Sequence, residues 1–339
     1  MQQIVIPRHG APDVLELRES TDPQAQEGEI RIRVKAAGVN FADLLARIGV
    51  YRDAPKPPCV VGFEVAGIVD QIGDRTDTEI KVGDRVLAMP RFGGYADVIS
   101  VPVDYVFRMP DTMTFEQGAA FPTVYLAAHH ALLYMGPLRD NSRVLVHSAA
   151  GGVGVAAIQL AKLKNCTVFG TASPSKHEFL QEIGCDHAFS YSDWHDGIRN
   201  VVKDAGVDII LDPVGGRSWS DSYDLLGPCG RMVCFGASMN ASKRRNLMQI
   251  LKFFAQIPQF KPLHLMNDNR QVGGFNLRRL FDHPSIIRPQ MEALIDMFER
   301  GEVAPHVDRT FAFNEAAKAH MWLHDRKARG KVILMAVPA

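Results

Sequence analysis

A glycine-rich loop between an apolar strand and a helix is the clearest chemical signal in the chain. Residues 144–154 read VLVHSAAGGVG, which is a dinucleotide-binding fingerprint with alanine at the first glycine position, A-x-G-x-x-G. Ala150, Gly151, Gly152, Val153 and Gly154 would line the phosphates: Gly151 allows close approach of a pyrophosphate, and Gly154 allows the helix to pack on the strand. A tight turn alone would explain the glycines. The flanking strand and helix, in an alternating α/β region, favour dinucleotide binding.

The segment about twenty residues after this loop bears on the choice of cofactor. An NAD-dependent enzyme carries Asp or Glu there to hold the ribose 2′-hydroxyl. This chain has Ser173, Ser175 and Lys176 in that segment and no carboxylate. The segment therefore predicts NADPH, because nothing repels a 2′-phosphate and the lysine and serines could bind one. A solvated lysine in the first turn of a helix is the alternative reading of Lys176.

The composition is that of a globular protein and excludes several other classes. A length of 339 residues predicts two domains, since one domain usually has roughly 100–200 residues. The 38 basic residues are balanced by 38 acidic ones, which argues against a nucleic-acid partner. Hydrophobic residues make up 46% of the chain and charged residues 22%, which excludes disorder or coiled coil as the main organisation.

Cysteine usage and the N-terminus predict a cytoplasmic location. The five cysteines are scattered and no two have C-x-x-C spacing, so neither a disulfide framework nor a structural zinc site is indicated. The first residues lack a basic region followed by an apolar core, so no signal peptide is expected. No run of about 18 apolar, uncharged residues is present, so no transmembrane segment is expected.

Periodicity divides the chain into a β-rich part and an alternating α/β part. The first third has strands predicted at 30–36, 65–72 and 85–89, punctuated by glycine and proline. From about Phe121, apolar strands alternate with helices, which indicates βαβ units and a parallel sheet. The strands are predicted at 143–148, 167–172, 207–211 and 231–235, and the helices at about 152–164 and 175–183.

The last part of the chain is too short to hold a core of its own. Two amphipathic helices are predicted at 290–300 and 314–325, followed by a strand at 330–336. We expect this part to return to the first domain. The predicted fold is therefore α/β, with a β-rich domain at 1–122 that is completed by 283–339, and a doubly wound parallel-sheet domain at 123–282.

These motifs together resemble the zinc-independent quinone oxidoreductase branch of the medium-chain dehydrogenase/reductase superfamily. The likeness extends over nearly the whole chain, and within the branch the VAT-1-like proteins are most similar. The general likeness rests on the loop and on residues 40–43, 62–67, 82–86 and 330–332. The closer likeness rests on residues 169–178, 212–216 and 245–248.

The resemblance implies a GroES-like catalytic domain, a Rossmann domain and an NADPH cofactor in the cleft between them. It implies that Asn40, Asp43 and Tyr51 line the nicotinamide and substrate, and that the protein is a homodimer paired through an edge strand at 272–277. It also implies further NADPH-binding residues: Thr123, Ser173, Lys176, Tyr191, Phe235, Gly236, Ala237, Phe275 and Leu277.

The positions that hold zinc in related dehydrogenases argue against a metal in this chain. The first ligand position is Asn40 and the histidine position is Phe63, and a phenylalanine cannot ligate zinc. The four-cysteine lobe is also missing between Met89 and Tyr95. We therefore predict that no metal is bound. Glu64 remains, as a structural carboxylate.

Without a Lewis acid, the expected substrates are small electrophilic molecules that accept hydride readily. Quinones and α,β-unsaturated carbonyls qualify, because the added charge spreads onto oxygen. Tyr51 and Asn40 are the candidate hydrogen-bond donors, although Tyr51 could simply pack on Pro55 or Pro57, and Asp43 could brace its loop.

Two rival functions remain open. One is a zinc alcohol dehydrogenase, which Asn40 and Phe63 oppose. The other is a dinucleotide-binding protein that works through membrane or partner contacts. A basic cluster at 243–245 followed by apolar residues up to 266 could form a peripheral membrane surface. A lid over the substrate is the preferred reading of the same segment, because pockets are mostly apolar.

Overall fold

The structure is a computed structural model and describes residues 1–238 and 255–336. The chain divides into two compact units. Unit 1 contains Met1–Leu126 and the C-terminal residues from Leu280 onward, and unit 2 contains Ala127–Arg279. The C-terminal part of the chain thus belongs with the N-terminal part.

The described residues contain sixteen strands, and the strands predicted from the sequence are among them. They are β1 (Gln2–Ile6), β2 (Glu16–Glu19), β3 (Glu29–Val39), β4 (Cys59–Val60), β5 (Val65–Ile72), β6 (Arg85–Ala88), β7 (Val98–Pro102), β8 (Val106–Arg108), β9 (Arg143–Val146), β10 (Thr167–Thr171), β11 (His187–Phe189), β12 (Val207–Asp212), β13 (Leu226–Cys234), β14 (Gln271–Gly274), β15 (Val307–Ala312) and β16 (Lys331–Met335).

The α-helices of the same residues are mostly one to three turns long. They are α1 (Phe41–Arg47), α2 (Phe115–Ala120), α3 (Pro122–His129), α4 (Gly152–Lys162), α5 (His177–Glu182), α6 (Trp194–Val202), α7 (Arg217–Leu225), α8 (Pro262–Asp268), α9 (Leu277–Leu280), α10 (Pro284–Glu299) and α11 (Ala316–His324). A π-helical turn, His130–Tyr134, continues α3.

Unit 1 is built around the long strand β3. Ile30, Ile32 and Val34 point into the core, whereas Arg31 and Arg33 alternate outward and both pair with Asp70 on β5. This alternation is what a half-buried strand requires. β3 lies in a seven-stranded sheet of order β15-β16-β3-β5-β6-β8, with β7 also paired to β3, and a second sheet has the order β2-β1-β4.

Unit 2 is a six-stranded sheet of order β11-β10-β9-β12-β13-β14, and every pair in it is parallel. The strands of this sheet have continuous apolar sequences, as expected for strands buried on both faces. Leu145, Phe169 and Ile210 are fully buried in its core. The chain moves outward from β9 to β11 and then returns to the other side of β9 with β12. The order therefore reverses between β9 and β12, which is where such sheets bind ligands.

The predicted α/β fold, with a β-rich part and a parallel-sheet part, is confirmed, and the differences in individual elements have local causes. The helix expected at 175–183 is a 3₁₀ turn, Pro174–Lys176, followed by α5. The helix expected at 290–300 begins earlier, at Pro284, because proline suits the first helical position.

The strand predicted at 272–277 is shorter than expected. It does form the edge strand β14, but it ends at Gly274. The side chain of Asn276 accepts a hydrogen bond from the N–H of Arg278 at 3.1 Å, which starts helix α9 at Leu277. The predicted strand is therefore wrong at its C-terminal end, where Leu277 is helical. The predicted pairing of two copies through this edge stays a prediction.

Candidate functional site

The glycine loop of unit 2 has the geometry of a phosphate cradle. Ser148 adopts a left-handed conformation with φ of 55°, and its carbonyl accepts the N–H of Gly151 at 2.9 Å. A Cβ on Gly154 would lie 2.2 Å from the carbonyl oxygen of Ala149, so only glycine allows α4 to sit this close to the loop.

The other side of the loop is open. Among residues 1–238 and 255–336, a Cβ on Gly151 would meet a single neighbour, the carbonyl oxygen of Ser148 at 3.3 Å. Gly151 is the N-cap of the eleven-residue helix α4, and the first N–H groups of a helix have no partner within it. An open glycine surface beside free N–H groups fits the pyrophosphate of a dinucleotide.

The residues predicted to recognise a 2′-phosphate follow two neighbouring strands. Ser173 and Lys176 come directly after β10, and Tyr191 comes two residues after β11. Because β10 and β11 are parallel partners, the three residues lie at the same edge of the sheet, and Tyr191 is 47% exposed. The Oγ atoms of Ser173 and Ser175 are 3.5 Å apart.

Further residues predicted to bind NADPH follow β13 and β14. The rings of Phe235 and Phe275 stack with centroids 5.8 Å apart, so the structure brings these two together. Gly236 packs on Pro213, where a Cβ would lie 2.9 Å from the proline carbonyl oxygen. Leu277 is the first residue of α9 and is half-buried.

A buried charge cluster is the central feature of unit 1. The ammonium of Lys331 donates to Glu64 Oε1 at 2.6 Å, to Asn40 Oδ1 at 2.8 Å and to the carbonyl of Val39 at 2.9 Å. The backbone N–H of Thr123 donates to Glu64 Oε2 at 2.8 Å. The Lys331 and Glu64 side chains are only 4% and 0% exposed, so the pair is removed from water.

The cluster determines how the Asn40 amide is oriented. An ammonium only donates hydrogen bonds, so Oδ1 must face Lys331. Nδ2 then donates to Glu64 Oε1 at 2.7 Å. The second N–H of Nδ2 has no protein partner among residues 1–238 and 255–336, and Asn40 is half-buried. Asn40 can therefore donate one hydrogen bond to a ligand in a fixed direction.

Asp43 braces the loop that carries Asn40. It is fully buried and accepts hydrogen bonds from the N–H groups of Asn40 and Gly62 and from the hydroxyl of Tyr95. Burial raises the pKa of Asp43 to about 7, against the lowering effect of these donors and of Lys331. Burial and these three donors agree with the bracing role considered for Asp43, and its catalytic role stays a prediction.

The Tyr95 hydroxyl also meets His320 at 3.1 Å from Nε2. Burial, reinforced by the charge of Arg47, lowers the pKa of His320 to about 3, so the imidazole is neutral. In its ionised form Asp43 only accepts, so Tyr95 then donates to it and accepts from His320. This ties α1 to α11.

Tyr51 lies beside an aromatic pair in the same unit. Its ring meets the ring of Phe63 edge-on, with centroids 6.1 Å apart, and Phe63 meets Phe92 at 5.2 Å. Phe63 is thus one packing partner of Tyr51, and packing on Pro55 or Pro57 stays a prediction. Tyr51 is half-buried.

The residues at the zinc position of related dehydrogenases do not fit a metal ion. Asn40 and Glu64 already hold the Lys331 ammonium, and a second cation would be repelled there. Phe63 offers only an apolar ring. Within the described parts of the chain, no three His, Cys, Asp or Glu side chains are close enough together to hold a metal.

Several residues of these sites were not predicted from the sequence. Lys331 was noted only as part of a motif, and its partner Glu64 is 267 positions away. His147, Thr171, Asp212 and Ser222 form a buried hydrogen-bonded chain beneath the glycine loop. The sequence signal that could have indicated this hydrogen-bonded chain is His147, a histidine at the end of an otherwise apolar strand.

Known proteins match the chain along most of its length. A family model for the alcohol dehydrogenase GroES-like domain matches residues 26–111, and one for zinc-binding dehydrogenase matches residues 183–334. Synaptic vesicle membrane protein VAT-1 homolog of Danio rerio is 39% identical over 340 residues, covering 99% of this chain and 70% of the relative. The chain belongs to the VAT-1-like branch of the medium-chain dehydrogenase/reductase superfamily. This confirms the predicted resemblance.

Two solved structures agree with that assignment. The human synaptic vesicle membrane protein VAT-1 homolog-like protein has a TM-score of 0.86 and 34% identity, and the match covers 100% of this chain and 99% of that one. Escherichia coli quinone oxidoreductase complexed with NADPH has a TM-score of 0.86 and 28% identity, and the match covers 99% and 100% of the two chains. The GroES-like and Rossmann parts of the predicted fold are thereby confirmed.

The segment suggested as a membrane surface or lid is only partly described. The basic cluster at 243–245 and the apolar residues up to 254 lie outside the described residues. Beyond them, Leu263 and Met266 on α8 are each 69% exposed. Among the residues that the structure covers, none belongs to a helix that is both long and apolar enough to cross a membrane.

Proposed function

We propose that the protein is an NADPH-dependent oxidoreductase that reduces a quinone or an α,β-unsaturated carbonyl without zinc. Bound NADPH would supply the hydride. Unit 2 offers the open glycine loop, with Ser173, Lys176 and Tyr191 at the adjacent strand ends as candidate ligands of the 2′-phosphate. The similarity to a quinone oxidoreductase that binds NADPH supports the cofactor and the acceptor class.

The Lys331–Glu64–Asn40 cluster is the observation that carries this proposal. The Lys331 ammonium donates three hydrogen bonds, all to protein acceptors, so this cation cannot polarise a substrate as a zinc ion would. An unactivated alcohol could not be ionised at such a site. The substrate must therefore be an acceptor that is already electrophilic and spreads the incoming charge onto oxygen.

The remaining work in unit 1 is orientation and hydrogen bonding. The free N–H of Asn40 and the hydroxyl of Tyr51 are the proposed donors to the acceptor oxygen. Such donors accelerate the reaction when they meet charge that develops in the transition state. For an enone, hydride reaches the β-carbon and a proton then reaches the α-carbon. For a quinone, two-electron reduction and protonation give the hydroquinone.

The test is NADPH consumption with matched quinones, enones, aldehydes and simple alcohols. Quinones or enones should be reduced, and activity should survive dialysis against a chelator. Tyr51→Phe should lower kcat with little change in NADPH affinity, because only a transition-state hydrogen bond is lost. Tyr134→Phe is the control, since Tyr134 is 52% exposed in unit 2.

Two results would contradict different parts of the proposal. Efficient oxidation of ethanol-type alcohols, with quinones and enones inert, would overturn the reaction class. Full activity of Tyr51→Phe on a good enone would remove Tyr51 from the mechanism but leave the reaction class standing.

A second candidate function is peripheral membrane binding, which the exposed Leu263 and Met266 favour. Vesicles that contain phosphatidylserine should then co-sediment the wild-type protein, and Leu263→Ser/Met266→Ser should release it. Met321→Ser is the matched control, because Met321 is 51% exposed on α11. Equal sedimentation of all variants, or none at all, would exclude this surface.

A further inference from the structure

A buried chain of hydrogen bonds runs beneath the glycine loop at the point where the strand order reverses. His147, which follows β9, meets Thr171 Oγ1 through Nδ1 at 3.1 Å and Ser222 Oγ through Nε2 at 2.9 Å. Ser222 in turn lies 2.9 Å from Asp212 Oδ2. The four side chains are each 3% exposed or less, so the chain is removed from water and from any substrate.

The direction of every bond in this chain follows from Asp212. Its carboxylate is surrounded by four donors: the N–H groups of Val214 and Gly215 and the hydroxyls of Ser218 and Ser222. An ionised carboxylate only accepts, so Ser222 donates to Asp212 and must accept from His147.

His147 is therefore protonated on Nε2 and bare on Nδ1. Burial lowers the pKa of His147 and keeps the imidazole neutral, in agreement with this assignment. The bare Nδ1 accepts from the Thr171 hydroxyl, which leaves Thr171 Oγ1 free to accept the N–H of Ser148 at 3.2 Å. The donor and acceptor of each hydrogen bond are thus fixed, from the Asp212 carboxylate to Ser148 in the loop.

Both ends of the chain lie next to predicted cofactor residues. Thr171 holds two consecutive loop amides, Ser148 through Oγ1 and Ala149 through its carbonyl at 2.9 Å. At the other end, the Asp212 carbonyl accepts the N–H of Phe235 at 3.3 Å, and the adjoining Pro213 carbonyl accepts the N–H of Ser238 at 3.0 Å. These bonds bracket the segment 235–237.

We propose that His147 is a positioning residue that couples the phosphate-binding loop to the segment 235–237 through Thr171, Ser222 and Asp212. This inference rests on the proposed dinucleotide binding. The chain holds both segments in one geometry before the dinucleotide arrives, so less ordering is needed on binding. His147 itself does not touch the reacting atoms, because it is buried beneath the loop.

Two substitutions that each remove one hydroxyl test the coupling by isothermal titration calorimetry on the folded protein. Thr171→Val removes the hydroxyl that joins His147 to Ser148, and Ser222→Ala removes the link to Asp212. Each should weaken NADPH and NADH alike by about tenfold, the effect of losing one buried hydrogen bond. A change specific to the 2′-phosphate would instead affect NADPH alone.

Matched controls lie on the same two elements. Thr167→Val alters the opposite end of β10, and Ser220→Ala alters an exposed serine on α7. Both should bind the dinucleotides as the wild type does. If Thr171→Val and Ser222→Ala also bind like the wild type, His147 has only a structural role and the inference is overturned.

Imidazole ¹⁵N spectra of the wild-type protein provide a second test, in which a variant serves only to assign the signals. The His147 signals, identified by their disappearance in His147→Asn, should show a neutral ring protonated on Nε2, and NADPH should shift them. Protonation on Nδ1, or no response to bound NADPH, would overturn the inference alone. A wild-type protein that binds neither NADPH nor NADH would overturn the proposed function as well.

Discussion

Replacing Lys331 with methionine should destabilise the protein strongly, because it leaves the buried carboxylate of Glu64 without its compensating cation. Glu64 would keep its hydrogen bonds from Asn40 and Thr123 but lose the ammonium at 2.6 Å, and its side chain is 0% exposed. Breaking a buried ion pair by removing one partner costs about 3–5 kcal/mol. We expect the free energy of unfolding of Lys331→Met to fall by that amount.

The double variant Lys331→Met/Glu64→Gln distinguishes two causes of lost stability: the uncompensated charge of Glu64 and a simple packing defect. Without the ammonium the Asn40 amide can rotate, so that its Oδ1 accepts from the new amide while the N–H of Thr123 still finds an oxygen. No buried charge remains. The double variant should therefore lose only about 1–2 kcal/mol, which makes it more stable than the single variant.

Urea denaturation at pH 7, followed by intrinsic fluorescence, measures all three proteins. Lys318→Met is the control, because Lys318 is 71% exposed and its pair with Glu315 lies on the surface. That change should cost about 0–1 kcal/mol. If Lys331→Met costs no more than the control, or if the double variant is less stable than the single one, the account of a buried compensating cation is wrong.

Three further predictions concern the cofactor, pH and assembly. Lys176→Ala should weaken NADPH by about 1.5–3 kcal/mol and NADH far less in calorimetric titrations; equal losses would exclude a 2′-phosphate contact. Burial raises the pKa of Asp43 from 3.8 to about 7, so the contribution of Asp43 to stability falls as pH rises through that range. Burial lowers the pKa of His320 from 6.5 to about 3, so the contribution of His320 rises as pH rises from about 3 to 6.5. Denaturation between pH 5 and 6 should therefore give altered slopes of the unfolding free energy against pH. The slope should be more positive in Asp43→Asn and more negative in His320→Gln, each by up to ~1.4 kcal/mol per pH unit. Unchanged slopes would contradict both assignments. Pairing of two copies through β14 predicts a dimeric mass at micromolar concentration by light scattering, because an uncovered edge strand invites pairing; a monomeric mass would contradict it.

Features encoded by neighbouring residues were predicted well from the sequence. The strand at 65–72 was predicted with its observed bounds, because alternation and flanking turns are local properties. The glycine loop was predicted for the same reason, since its strand, turn and helix are contiguous. The end of β14 was missed because one side chain, Asn276, starts a helix within an otherwise extended apolar stretch.

Features that depend on distant partners could not be predicted in this way. Lys331 and Glu64 are 267 residues apart, and His147 and Ser222 are 75 apart. The sequence alone does not show whether a lysine or histidine makes its hydrogen bonds within the protein or offers them to a ligand. Only the three-dimensional arrangement shows that all three bonds of the Lys331 ammonium are made within the protein.

That arrangement also supplies a physical reason for the metal-free reaction that we propose. A zinc ion attracts electrons from a substrate oxygen directly. Here the cation at the corresponding place faces Glu64, Asn40 and Val39, so its charge holds Asn40 in position and neutralises Glu64. Polarisation of the substrate is left to neutral donors, which stabilise developing charge less than an ion does. Under the proposed function, such a site would need no metal, and its acceptors would be those that can carry the negative charge themselves.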